Sequence, residues 1–227
     1  MCHHLDVTRR AFLSSFFPTS LGLVAGFLLS GPALAIAPAV PAQQVVLQAF
    51  PKDGQLYARK ANDFATVTVA GTVVEAGWDE AVLRVATRNA VIEEQFLPLS
   101  YAAFGAAFST TTEIHSGLRD YTFTLSLRGG GQELPVTEAQ SVVAGDVFLI
   151  AGQSNAVALD YWNEKRANRS QSWWVRSFGT QALGATESRN NLNWYIAEGE
   201  TQRKRGSVGS WGLLLGEQLV EKLGTPV

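Results

Sequence analysis

Val143-Ala144-Gly145-Asp146-Val147-Phe148-Leu149-Ile150-Ala151-Gly152-Gln153-Ser154-Asn155 is the stretch whose reading decides the fold. Val147 to Ala151 is a short apolar run, β-branched or aromatic at several positions and closed by a glycine, which predicts a strand buried on both faces. Gly152 permits a tight turn that lifts Ser154 out of the sheet edge, and Ala156-Val157-Ala158-Leu159 opens a helix. Ser154 is therefore expected near a helix N-terminus, where unpaired backbone N–H groups and the dipole favour a developing negative charge.

Strand, glycine, serine, helix is the geometry of a nucleophile presented at the carboxyl edge of an α/β sheet. The G-x-S-x-G elbow follows the same logic but is not written here, because Asn155 and Ala156 follow the serine. Gly145-Asp146-Val147 leading into Gly152-Gln153-Ser154-Asn155 resembles the first block of the SGNH (GDSL-like) hydrolases, and within them the sialate O-acetylesterase-like carbohydrate esterases. That family usually has methionine where this chain has Ala156. The resemblance implies Ser154 as nucleophile, with Gln153 and Asn155 beside it in the substrate site. A serine that only caps the helix is the competing reading.

Working outward to the N-terminus, Thr8-Arg9-Arg10-Ala11-Phe12-Leu13 sets paired arginines before an apolar stretch that runs to about Leu29. Ala33-Leu34-Ala35 then supplies a small-x-small cleavage pattern. Residues 1–35 read as a signal peptide resembling bacterial twin-arginine signals, which predicts a periplasmic or secreted protein with no stable membrane association after cleavage. An uncleaved anchor is the alternative, opposed by Pro18, Gly22, Gly26 and the Gly31-Pro32 break. Residues 36–43 are a Pro/Ala-rich spacer.

From Gln44 the pattern alternates. Thr66–Val69 and Tyr121–Leu127 are period-two runs, and Val45–Leu47, Ala81–Val85 and Val91-Ile92 are further candidate strands. Lys52-Asp53-Gly54, Gly77 and Gly129-Gly130-Gly131 mark turns between them. Short strands without helical period predict a β-sandwich over residues 44–137. The family resemblance agrees, since many of its members place such a domain beside the esterase. A structural companion domain is favoured over a glycan-binding module.

Residues 138–227 are expected to be the first part of an α/β, flavodoxin-like, three-layer SGNH domain. Ala156–Arg166 predicts a helix, Ser172–Phe178 a second strand, and Gln181–Gly206 a long loop. In that loop Trp194 is a candidate for stacking on a sugar, or for pinning the loop to the body. Leu214, Leu215, Leu219 and Leu223 predict a helix with a buried leucine stripe, capped by Ser207 or Ser210 and stopped by Gly224-Thr225-Pro226. The resemblance implies an oxyanion-hole glycine before this helix. Gly209 is the closest match, Gly206 and Gly212 are rivals, and a glycine needed only for the turn is the other reading.

The net charge of −2 becomes −3 without residues 1–35, as 18 basic and 20 acidic residues fall to 16 and 19, so no nucleic-acid partner is expected. The single cysteine, Cys2, goes with the signal, and His115 is then the last histidine, expected in a loop or at the surface. No metal site and no cofactor are expected. The family's Asp and His come from a D-x-x-H that does not occur after Ser154 here. The chain is therefore read as a fragment of an exported carbohydrate O-acetylesterase acting on acetylated sugars, itself inactive. The alternative from another class is a non-catalytic glycan-binding β-sandwich protein with a degenerate esterase tail.

Overall fold

The computed structural model describes residues 44–88, 90–151, 164–179, 190–199 and 205–227. The signal and spacer lie outside these, as do Gly152, Gln153, Ser154, Asn155 and most of the helix expected over 156–166. Of that helix the described part is α1, Glu164–Ala167.

The described molecule is predominantly β. Its strands are β1 Val45–Ala49, β2 Leu56–Ala58, β3 Phe64–Val73, β4 Glu80–Thr87, β5 Ala90–Pro98, β6 Ala106–His115, β7 Tyr121–Gly129 and β8 Gln132–Gly145, then β9 Arg176–Phe178 and β10 Trp194–Ile196. Helix α2, Gly209–Leu223, follows. A three-stranded sheet of order β1-β3-β6 faces a five-stranded sheet of order β2-β8-β7-β4-β5. All pairings are antiparallel except β2 with β8.

Alternation explains how the two sheets meet. In β3 the side chains of Ala65, Val67, Val69 and Val73 are fully buried, and in β7 Phe123, Leu125 and Leu127 answer them from the opposite sheet. Leu83, Val85, Phe108 and Ile114 complete this core. The period-two runs thus became β1, β3, β4, β5 and β7, and residues 130–131 form the turn between β7 and β8. Three strands of the paired sheets were not among the candidates: β2, because three residues show no period, β6, whose inner face includes Thr112 and whose tail holds His115, and β8.

β8 runs 14 residues, through the boundary expected after Thr137. Its pairing with β7 slips between Tyr121 and Phe123, and Ser141 at that slip has φ 56°. A bulge of this kind turns the strand. Beyond it Val142, Val143, Ala144 and Gly145 are all buried.

The reading of Val147–Ala151 as a doubly buried strand is corrected here. Residues 146–151 form no strand, and Val147, Phe148, Leu149 and Ile150 are 58%, 53%, 92% and 48% exposed. The run of consecutive buried residues lies earlier, at Val142–Gly145, where β7 pairs with Val142 and β2 with Val143, Ala144 and Gly145. Nor do the described residues after position 145 form a parallel sheet covered on both faces. β9 is shorter than the strand expected over 172–178, and it pairs antiparallel with β10.

A second, smaller core joins Val175, Ala197, Leu213 and Val220. The leucine stripe expected to be buried on α2 is also corrected. Leu214, Leu215 and Leu223 are 43%, 40% and 38% exposed, and the buried positions are Gly209, Gly212, Leu213, Gly216 and Val220. The glycines allow the approach: a Cβ on Gly216 would lie 2.6 Å from a methyl carbon of Val175. The helix therefore packs by a face of three glycines with Leu213 and Val220, and leaves Leu214, Leu215 and Leu223 partly exposed.

Candidate functional site

The segment leading to Ser154 is anchored where it leaves β8. Arg59 grips Asp146 with two hydrogen bonds, Nε to Oδ1 and Nη2 to Oδ2, each 2.8 Å, and donates from Nη1 to Asp63 at 2.6 Å. A planar guanidinium and a carboxylate match in this way at two points. Those bonds, with the charge of Asp146, raise the Arg59 pKa above its ordinary value. The Asp146 N–H donates to the carbonyl of Pro226 at 2.9 Å.

From Asp146 the chain passes along one side of a cavity of about 580 Å³. Val147, Phe148, Leu149 and Ile150, residues 175–179, and Trp211, Leu215 and Leu219 of α2 are among the residues that line it. These three helix positions are spaced by four and share a face; of the four leucines expected to form a buried stripe, Leu215 and Leu219 line the cavity. Volume and apolar lining suit a site for an organic group.

Gly209 opens α2 with φ 74° and is buried. An L side chain would be strained in that conformation, so glycine is required at the first helical residue. The N-cap position is held by Val208, which makes no side-chain cap hydrogen bond, so neither Ser207 nor Ser210 stands at the N-cap as expected. The entry to α2 is fixed through the backbone, with Val208 N–H donating to Glu198 O at 2.8 Å and Glu198 N–H to Gly206 O at 2.9 Å. Val208 and Gly212 lie on the cavity wall. Gly206 is buried in the turn before the helix with φ 79°, and Gly212 sits inside the helix against Val208.

Trp194 lies on β10 and packs on Phe178 of β9, their ring centres 5.2 Å apart and tilted by 53°. Both line the cavity. Gln153, Ser154 and Asn155 fall outside the described residues; the structure brings to one cavity Trp194, the segment entering Ser154 and, from the start of α2, Val208, Trp211 and Gly212, but not Gly209. His115 ends β6 at an exposed position: its ring meets Phe64 edge-on at 4.9 Å and its Nδ1 contacts the Ser116 carbonyl. Among the described residues no three His, Cys, Asp or Glu side chains gather as a metal site, and no helix is long and apolar enough to cross a membrane.

Sequence reasoning missed two contributors. Arg59 lies 87 residues from Asp146, and nothing local signals the pair. Arg176 is buried at the back of β9, where Nη2 donates to Ser141 O at 3.3 Å and the guanidinium lies 5.0 Å from the Trp173 ring centre. Burial pushes its pKa down to about 10, which leaves it charged at neutral pH.

No family model and no curated protein matches the chain. Among solved structures, an engineered protein aligns with 46% of this chain and 21% of its own length, at 20% identity and a TM-score of 0.32. That likeness is too slight to bear on fold or function.

Proposed function

We infer that the chain is part of an exported serine esterase acting on O-acetylated carbohydrate, to which it contributes the nucleophile Ser154 and one oxyanion amide, with Gly209 as its source. The observation that carries the reading is the meeting at one cavity of the segment entering Gly152-Gln153-Ser154-Asn155 and the first turn of α2. The start of a helix presents backbone N–H groups that can donate hydrogen bonds to an anionic tetrahedral oxygen. Gln153 and Asn155 flank the serine as substrate contacts, and Trp194 offers an aromatic face to a sugar ring.

In the reaction the Ser154 hydroxyl attacks the ester carbonyl, its proton passing to a base. The alcohol leaves, and water then releases acetate from the acyl-enzyme. A base must lie within about 2.6–3.2 Å of the hydroxyl. His115 is turned to Phe64 and Ser116, so on this proposal the base is another residue, the histidine of the D-x-x-H that the resemblance implies. The purified chain is accordingly expected to show no Ser154-dependent turnover of p-nitrophenyl acetate, and DNA past the codon for Val227 is expected to encode an in-frame D-x-x-H. Loss of turnover in Ser154→Ala, measured on this chain alone, would overturn the first expectation; an open frame lacking the motif would overturn the esterase reading.

A further inference from the structure

We propose that Arg59, a residue of the paired sheets, is the positioning residue for the segment that leads to Ser154, which makes the sheets part of the working site and not a detachable companion. What this means for Ser154 rests on the esterase reading; the hold on the chain at Asp146 does not. Residue 59 takes hold of the outgoing chain through backbone and side chain together. Its N–H donates to Gly145 O at 2.8 Å, and its guanidinium donates to both oxygens of Asp146, each at 2.8 Å. The anchor is itself braced. Nη1 donates to Asp63 at 2.6 Å, the Asp63 N–H to Lys60 O at 3.1 Å and the Lys60 N–H to Phe64 O at 2.8 Å. Asp63, held at φ 64°, accepts the Ser116 N–H on its carbonyl at 2.8 Å. Residues 59–63 are thus a turn tied to β3 and to the loop after β6.

The turn that stops α2 meets the same residues. Thr225 Oγ1 donates to Ala144 O at 3.3 Å, and Pro226 O accepts from the Asp146 N–H at 2.9 Å. A Cβ on Gly145 would lie 1.9 Å from Pro226 O, so glycine is what lets this turn come so close. Asp146 is therefore the residue at which the sheets and α2 together set the direction in which the chain leaves for Val147. A guanidinium matched to a carboxylate at two points fixes its plane as well as its distance, whereas an ammonium fixes a distance alone. The Arg59 and Asp146 side chains are each about one-quarter exposed, and ion pairs in contact with water add little to global stability. The value of this pair lies in the orientation it imposes.

The test places a nitroxide on the full chain at Leu149→Cys in a Cys2→Ser background, with Ser109→Cys on β6 as the control; both positions are exposed. Arg59→Gln and Arg59→Lys are each expected to raise the label's mobility at 149, with mobility at 109 and the circular dichroism spectrum unchanged, because lysine keeps the charge but not the two-point grip. Asp146→Asn should do the same, and adding Arg59→Gln to it should change nothing more. Unchanged mobility at 149 in Arg59→Gln, full retention of the parent spectrum by Arg59→Lys, or equal loosening at 109 would each overturn the proposal. The link to Ser154 is read separately, in the enzyme completed by its D-x-x-H. There Arg59→Lys is expected to lower kcat about 100-fold with KM little changed. An unchanged kcat would overturn the link and leave the esterase reading intact, whereas a parent enzyme without Ser154-dependent turnover would end the esterase reading and leave the mobility result standing.

Discussion

Glu133 shows how much one side chain can organise on a solvent-facing sheet. It accepts from Arg84, Arg128 and Ser126, while Arg84 also reaches Glu94 and Arg128 reaches Glu80. The Arg84 guanidinium, followed by these hydroxyl and guanidinium donors, holds the Glu133 carboxyl down at about 2 from its ordinary 4.5. A carboxyl lowered in the folded state contributes stability that is complete above about pH 4.5 and is lost as pH falls towards 2. Glu133→Gln is therefore expected to lower stability by about 0.5–1 kcal/mol at neutral pH, modest because the group is one-third exposed. Urea titrations across pH should show the gap to the parent chain closing between pH 4.5 and 2. A gap independent of pH would show that shape rather than charge carries the effect. None of these partners was legible in the sequence, since Arg84 and Glu133 lie 49 residues apart.

At the scale of elements, α2 was legible as a helix and misleading as to its face. Hydrophobic spacing marks where bulky apolar residues recur, and it does not register a face that is buried because side chains are missing. Gly209, Gly212 and Gly216 are that face. Gly216→Ala sets a Cβ 2.6 and 2.9 Å from the two methyl carbons of Val175, and is expected to cost about 1–3 kcal/mol by overpacking. In a Val175→Ala background those methyls are gone, and the same substitution should be neutral or stabilising, because alanine is the better helix former by about 0.8–1.0 kcal/mol. Denaturant melts of the four-member cycle measure the coupling; additive effects would refute the close packing. The segment at 147–150 teaches the same lesson from the other side. A continuous apolar run is the pattern of a buried strand, but burial needs neighbours, and the described neighbours of this run lie across a cavity.

Across the whole molecule, the paired sheets were readable because alternation reports directly on a half-buried surface, as Val67 and Val69 against Thr66 and Thr68 show. The division between two parts was not, because β8 carries no break at the expected boundary. One strand serves both: residues 132–139 pair within the larger core, and Val142–Gly145 carry the chain on to Asp146. Ties at that end come from several directions. Arg176 reaches Ser141, the Thr225 hydroxyl donates to the Ala144 carbonyl at 3.3 Å and accepts from the Gly117 N–H, and Lys52 donates to Leu192 O at 2.7 Å.

A shared strand has a thermal consequence. Melting the smaller core would strip Val142–Gly145 of cover, and melting the larger would remove the β7 pairing of Val142 and the β2 pairing of Val143–Gly145 that keep the same residues extended. Scanning calorimetry should accordingly record a single endotherm whose van't Hoff and integrated enthalpies agree. Two resolved peaks would mean that the bulge at Ser141 acts as a joint, letting one half come apart while the other stays intact.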